Sequence, residues 1–166
     1  MSCENNMTMN VQFALLKKDP AVTFKDFHIT KFNIETLGLT LAYDTRLIID
    51  NTASPLKVTV APAIIELYYG QEMKIDQTDW DGVVIPAEGR VPTTITHEKK
   101  WGLADLPLLA TLLADWAKPN KDLEFHIKTT LDVRVSMYRK TQKIDCLAVV
   151  KGRSLTEKPV MTCTSE

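Results

Sequence analysis

The clearest pattern in the chain is the alternation of apolar and polar residues over positions 124–138. Charged and polar side chains separate a series of apolar ones that only Thr129 interrupts: Phe125, Ile127, Leu131, Val133, Val135 and Met137. Successive side chains of a strand point to opposite faces, so the pattern predicts a long strand with one buried and one solvated face. Such a strand is typical of an antiparallel sheet that packs its apolar face against a second layer.

Shorter runs of the same kind predict the other strands. Strict alternation recurs over 39–49, and apolar runs follow at 56–60, 64–69, 73–75, 80–85, 91–96 and 144–150, with a short edge strand near Val160. The apolar parity shifts between Phe24 and Phe27, which indicates a bulge or a break in the first strand. Pro62 interrupts its run and predicts a sheet edge or a kink. Seven or eight short strands of this kind predict a mainly β, antiparallel sandwich.

Two charged stretches and one helical stretch complete the predicted order of elements. Residues 98–100 and 139–142 are predicted as turns. Residues 103–117 carry apolar side chains at helical spacing, namely Leu103, Leu106, Leu109, Ala110, Leu113, Trp116 and Ala117. Asp105 is the expected N-cap, which would place Pro107 in the first turn. The sequence therefore predicts one amphipathic helix that ends before Pro119.

Length and charge set limits on the organisation and partners of the chain. Its 166 residues fit a lead-in over 1–20 and one sandwich domain over 21–164. The 20 basic and 21 acidic residues are well mixed, with a net charge of −1, so we expect no nucleic-acid binding. The apolar run at 11–16 is too short for a signal core or a membrane span. We expect a cytoplasmic protein if the chain is complete, and a membrane-anchored one if an upstream segment has been removed.

The titratable and nucleophilic residues show no arrangement of a known reactive site. His28, His97 and His126 have no metal-binding spacing, and the serine-nucleophile and glycine-rich phosphate-binding motifs are absent. His126 is expected on the solvated face of its strand. The three cysteines form no Cys-x-x-Cys motif, and Cys146 and Cys163 would form a disulfide only in an oxidising compartment. The sequence thus predicts no enzyme, no metal and no cofactor.

Several segments resemble the group-2 late embryogenesis abundant proteins, also called the water-stress and hypersensitive-response domain. The opening segment at 24–33 is similar to the start of that domain, and the segments at 47–51, 54–60 and 66–70 follow its order of strand, turn and aromatic-Gly ending. The closing hairpin, with Cys146 near its second strand and Cys163 beyond it, is also similar. The turn departs from the family's Asn-Pro-Asn, because it contains Asn51 and, four residues later, Pro55.

This resemblance implies an immunoglobulin- or fibronectin-III-like sandwich without enzymatic activity that is linked to desiccation, stress or defence. We expect a monomer that contacts a protein or a membrane surface. The alternative is a lipid-binding or lipid-transfer sandwich with an apolar groove under helix 105–117, lined by Trp101, Leu109, Leu113 and Trp116. These aromatic and leucine side chains would otherwise pack as a plug over the open end of the sandwich.

Overall fold

The computed structural model describes residues 20–166. Residues 1–19 of the predicted lead-in, which include Cys3 and the apolar run at 11–16, lie outside this range. The described chain forms two antiparallel sheets with a helical segment at one end. The predicted β-sandwich is therefore confirmed.

The first sheet, sheet A, has three strands in the order β1–β2–β7. Its members are β1 (Ala21–Glu35), β2 (Gly38–Asp50) and β7 (Arg90–Gly102). The predicted bulge is present as a register shift between Phe24 and Asp26. The shift turns both Phe24 and Phe27 toward the core, where each is buried. A single extra residue thus explains the change of apolar parity in the sequence.

The second sheet, sheet B, is built around the long predicted strand. Its strands are β3 (Val58–Val60), β4 (Ala63–Tyr69), β5 (Met73–Trp80), β6 (Val83–Ile85), β8 (Leu123–Val135), β9 (Tyr138–Val150) and β10 (Val160–Ser165). β10 pairs with β9, and β9 pairs with β8. β8 pairs with both β3 and β4; β3 also pairs with β6, and β4 with β5.

Two interruptions explain why the described residues form ten strands where seven or eight were predicted. β3 and β4 both pair with β8 and are separated only around Pro62, while β5 and β6 are separated at Gly82. Counting each broken pair once gives eight strands. Proline has no N–H for the ladder, yet the Ala61 N–H still donates to the Asp132 carbonyl at 2.9 Å. Pro62 therefore marks a kink in an interior strand and not a sheet edge.

The predicted helix is present, but it has two parts. A 3-10 helix (Leu103–Leu109) leads into the α-helix α1 (Ala110–Trp116). Pro107 favours the tighter first part, because its ring and its missing N–H disfavour a regular α-helical turn. The N-cap is Gly102 and not Asp105, whose carboxylate accepts a hydrogen bond from the Gly102 N–H at 3.2 Å.

Aromatic side chains from both sheets meet in the core. Phe27 of sheet A lies 5.6 Å from both Tyr43 and Phe125, measured between ring centroids, and Phe125 in turn contacts Tyr69. Leu112 of α1 joins the same apolar cluster and is completely buried. The helical segment thus closes one end of the sandwich.

Two predicted turns are wrong. Residues 139–142 lie in β9, and the turn is formed by Ser136 and Met137, so Met137 is 91% exposed and not on the buried face. A two-residue hairpin needs positive φ, which Ser136 supplies at 54°. Residues 98–100 lie in β7, which pairs with one strand only, β2, among residues 20–166, so polar side chains fit along it.

Candidate functional site

The β1–β2 turn and the 3-10 helix bring exposed leucines together at one end of the sandwich. Gly38 pairs with Gly102 across β2 and β7, so Leu37 and Leu103, the next residues outward, are neighbours. Leu37 is 74% exposed and Leu103 is 55% exposed. We call the exposed apolar side chains of these two segments and of the adjoining end of β1 the apolar tip: Ile34, Leu37, Leu103 and Leu108.

The apolar tip holds a large share of the exposed apolar side chains of the described residues. Eight large hydrophobic residues are exposed in this part of the chain, and four of them belong to the tip. The other four lie apart from these two segments, at Ile64, Val84, Met137 and Val160. Single exposed leucines are ordinary, whereas a group of them on adjoining segments is typical of a contact surface.

Aromatic packing holds the helical segment on the β1–β2 hairpin behind the tip. Phe32 of β1 stacks on Trp116 of α1, with ring centroids 3.9 Å apart. Leu109 and Leu112 anchor the same segment in the core. At its end, the Arg153 side chain donates hydrogen bonds to the carbonyl oxygens of Trp116 and Ala117. The tip is therefore presented by a firmly attached element.

Charged side chains of both signs lie on the strands that lead to the tip. Glu98 lies between two lysines, 3.9 Å from Lys31 and 3.3 Å from Lys100. Lys99 adds a positive charge, and Glu35 and Asp105 lie in or beside the tip segments with negative charges. The arrangement is close to electroneutral, so any attraction of the tip must come mainly from its apolar surface.

A polar cluster joins the two sheets away from the tip. Asp76 of β5 is buried, and one of its carboxylate oxygens lies 3.0 Å from the Tyr43 hydroxyl and 3.0 Å from His97 Nε2. Thr78 lies 3.4 Å from the same hydroxyl. Burial raises the pKa of Tyr43 well above its usual value, and the Asp76 charge adds to this. We call these four residues the polar clasp.

No pattern in the sequence predicts the polar clasp. His97 is predicted to precede a charged turn, whereas it lies within β7 and faces Tyr43. The clasp arises from a register shift near Leu67, which leaves both Ile75 and Asp76 buried. No local spacing in the sequence links β5 to β2 and β7, so sequence alone offered no signal for the cluster.

The outer face of sheet B carries a groove of about 610 Å³, lined in part by Glu66, Lys128 and Asp145. Several of its charged side chains are paired, including Glu66 with Lys74. His126 lies 2.9 Å from Asp145, and Lys128 lies 3.8 Å from the same carboxylate. His126 is thus on the predicted polar face, but it is partly buried by this contact and not simply solvated. The groove is thus lined by charged side chains of both signs.

The predicted groove residues lie beside the tip but differ in burial. Leu109 is buried, whereas Trp101, Leu113 and Trp116 are only partly buried and pack on the edge of the core. Leu112, which the predicted stripe omitted, is the most deeply buried residue of α1. The change from 3-10 to α geometry rotates the buried face, which moves the contact from the predicted positions to Leu112.

The two cysteines of the closing hairpin lie directly opposite each other. Cys146 of β9 pairs with Cys163 of β10, and a disulfide joins them. Cys146 is completely buried, while Cys163 is exposed. The disulfide thus attaches an edge strand to the core.

Within residues 20–166, no group of three or more His, Cys, Asp or Glu side chains is placed to hold a metal ion. In the same range, no helix has the length and apolarity needed to cross a membrane.

Comparison with known proteins gives information on the fold alone. No protein-family model matches the chain, and no curated protein matches it. It is similar to an X-ray structure of a Northeast Structural Genomics Consortium target, SoR45, with a TM-score of 0.51 and 6% identity over 89% of this chain and 87% of that one. A crystal structure of a protein from Archaeoglobus fulgidus gives a TM-score of 0.49 and 8% identity over 78% of this chain and 97% of that one. The chain thus shares its overall architecture with SoR45.

Proposed function

We propose that this chain is a non-enzymatic domain of the late embryogenesis abundant group-2 kind that acts in stress or defence by contacting membrane surfaces through its apolar tip. The observation that carries the proposal is the pairing of Gly38 with Gly102, which sets the exposed Leu37 and Leu103 side by side. The late embryogenesis abundant part rests on the sequence resemblance at 24–70 and in the closing hairpin.

The make-up of the tip favours a lipid surface over a protein groove as its target. Its leucines are exposed in a turn and a short helix, whereas Trp101, just before that helix, and Trp116 are partly buried against the core. Exposed leucines suit the acyl layer of a bilayer, and partly buried tryptophans beside them suit its interfacial layer. Complete burial of one leucine is worth about 1.5–3 kcal/mol, so a few shallowly inserted side chains support reversible binding.

The buried polar groups support a non-catalytic role. A reactive site needs polar groups that converge on a place where substrate can bind. In the polar clasp, Tyr43 and His97 instead direct their polar atoms at the Asp76 carboxylate, between two packed sheets. Their geometry is that of a structural cross-link.

Vesicle co-sedimentation tests the proposal. The wild-type protein should sediment with phosphatidylcholine vesicles, and addition of phosphatidylserine should change binding little because the charges near the tip are mixed. The double variant Leu37→Ser/Leu103→Ser should lose most of this binding. Met137→Ser is the control, since it removes an apolar side chain that is even more exposed, at 91%, from the β8–β9 turn.

Two outcomes would count against a membrane role. Absence of wild-type sedimentation with either vesicle type would leave a protein as the partner of the tip. Equal loss of binding in Met137→Ser would show that the location of the apolar side chain does not matter.

A second candidate is an acyl-chain site under helix 105–117. It is favoured by the partial burial of Trp101, Leu113 and Trp116, which suits residues that border an opening. Native mass spectrometry of the freshly purified protein tests it directly. Bound acyl chains that disappear in Leu113→Glu, with the domain still folded, would support the groove and displace the tip as the lipid contact.

A further inference from the structure

The last strand of the described chain, β10, has little apolar packing of its own. Val160 is 60% exposed, and residues 162–165 are exposed as well. Met161 is the β10 side chain that packs against the core from a partly buried position. β10 is otherwise attached mainly by its backbone hydrogen bonds to one neighbouring strand, β9. An edge strand attached in this way is expected to open locally at low cost.

Besides its ladder with β9 and a hydrogen bond of 3.4 Å from the Thr164 hydroxyl to the Asp145 carbonyl oxygen, β10 has three further contacts. The Cys146–Cys163 disulfide joins it to β9. On its other side, Lys158, just before β10, lies 2.8 Å from the Asp26 carboxylate of β1, and the Cys163 sulfur lies 3.8 Å from the Phe24 carbonyl oxygen. β10 therefore covers the side of the sandwich between β9 in sheet B and β1 in sheet A. Among these contacts, only the disulfide is covalent.

We propose that the Cys146–Cys163 disulfide is a redox latch: its reduction by a dithiol releases β10 and uncovers the edge of β9. The inference goes beyond the proposed membrane contact and does not depend on it, because β10 contributes no residue to the apolar tip.

The exposure of the two residues sets the expected course of the reaction. A thiolate of the dithiol attacks the sulfur of Cys163, because that residue is exposed and Cys146 is buried. The bond between the two cysteine sulfurs breaks, and its electron pair stays on Cys146, which takes up a proton. The second thiol of the reductant then attacks the mixed disulfide and frees Cys163. Two electrons and two protons reach the protein, and the dithiol becomes a cyclic disulfide.

Release of β10 would change the surface in a defined place. The pairs from Val160–Val149 to Ser165–Ile144 would be lost, which leaves the backbone of residues 144–149 unpaired on one side. An uncovered edge of this kind accepts an extended segment from another chain. Reduction thus exposes the edge of β9 beside the buried Phe24, and an extended segment of another chain can pair with this edge.

Hydrogen exchange followed by mass spectrometry tests the latch. The full chain is used with Cys3→Ser, so that the remaining thiols belong to the pair. Dithiothreitol should speed exchange about tenfold or more in peptides covering residues 160–165 and 144–149, while β8 stays protected. Adding Cys163→Ser should give this open pattern without reductant and make it insensitive to dithiothreitol, since the substitution is at an exposed site.

Alkylation with N-ethylmaleimide counts the free thiols in each sample and so shows whether the disulfide is intact or reduced. Two free thiols with unchanged protection of residues 160–165 would overturn the latch. Faster exchange throughout the sandwich would overturn it as well, because reduction would then unfold the domain. Two free thiols in protein that has seen no reductant would show that the latch does not form.

Discussion

The Tyr43 hydroxyl donates a hydrogen bond of 3.0 Å to the buried carboxylate of Asp76, and this bond joins sheet A to sheet B. His97 approaches the same carboxylate oxygen from β7. A carboxylate in this position is tolerated because its neighbours supply donors, and a buried charge without them is costly. The two sheets are therefore held by directional contacts as well as by apolar packing.

The first prediction concerns this hydrogen bond. Tyr43→Phe removes a donor but keeps the ring, so it should lower the free energy of unfolding by about 1–3 kcal/mol in urea denaturation. Tyr68→Phe is the matched control, since its hydroxyl also bonds a carboxylate, that of Glu66, but on the outer face of sheet B. We expect the control to change stability by less than about 0.5 kcal/mol. Equal losses of stability in the two variants would show that the buried hydrogen bond of the polar clasp contributes no more than the exposed one.

The second prediction concerns alkaline pH. Burial raises the folded-state pKa of Tyr43 above that of the unfolded chain. The stability linked to this group is therefore complete below about pH 10 and is lost as the pH rises toward the folded-state pKa. The free energy of unfolding should fall between about pH 9 and about pH 11 in both proteins. This fall should be smaller in Tyr43→Phe than in wild type by roughly 1 kcal/mol. Tyr69, whose pKa is also raised by burial, should account for part of the remaining fall. An identical fall in both proteins would contradict the assignment.

The strands were predictable because their pattern is local. The alternation in β8 predicts one buried face, and even its exception has a simple cause. Thr129 is buried on the apolar face because its hydroxyl donates to the Ile64 carbonyl oxygen at 2.9 Å. A side chain that satisfies its own polar atom can replace an apolar one in a strand.

The candidate site was not predictable, because it depends on strand pairing over long distances. Leu37 and Leu103 are neighbours only because β2 pairs with β7, and nothing in either segment specifies that partner. Asp76 and His97 meet in the same way across the two sheets. The prediction that Met137 lies on the buried face was wrong for a local reason. An apolar residue that continues the alternation of its strand can equally occupy a two-residue turn.

The third prediction tests whether the helical segment is a plug. Leu112 is 0% exposed and lies in the core cluster, so Leu112→Ala should lower the free energy of unfolding by about 2–5 kcal/mol. Leu108→Ala is the matched control, because Leu108 is 73% exposed and should contribute less than about 0.5 kcal/mol. Urea denaturation followed by tryptophan fluorescence measures both. A cost below about 1 kcal/mol for Leu112→Ala would favour a loosely held lid and, with it, the groove.

The fourth prediction separates two glycines that both have positive φ. Gly70 has a φ of 63° with nothing within 4 Å of the place where a Cβ would lie, so Gly70→Ala should cost only backbone strain, about 1–2 kcal/mol. Gly82 has a φ of 76°, and its Cβ would lie 2.2 Å from the Val60 carbonyl oxygen.

At Gly82 the clash is with backbone atoms, so no side chain can move aside to relieve it. Val60 is also fixed, because it pairs with Val83 on one side and Val133 on the other. Gly82→Ala should therefore cost at least about 1–3 kcal/mol more than Gly70→Ala, since overpacking adds to the same backbone strain. Thermal unfolding followed by circular dichroism would rank the two variants. Equal decreases in melting temperature in the two variants would contradict the close approach of Gly82 to the Val60 carbonyl oxygen.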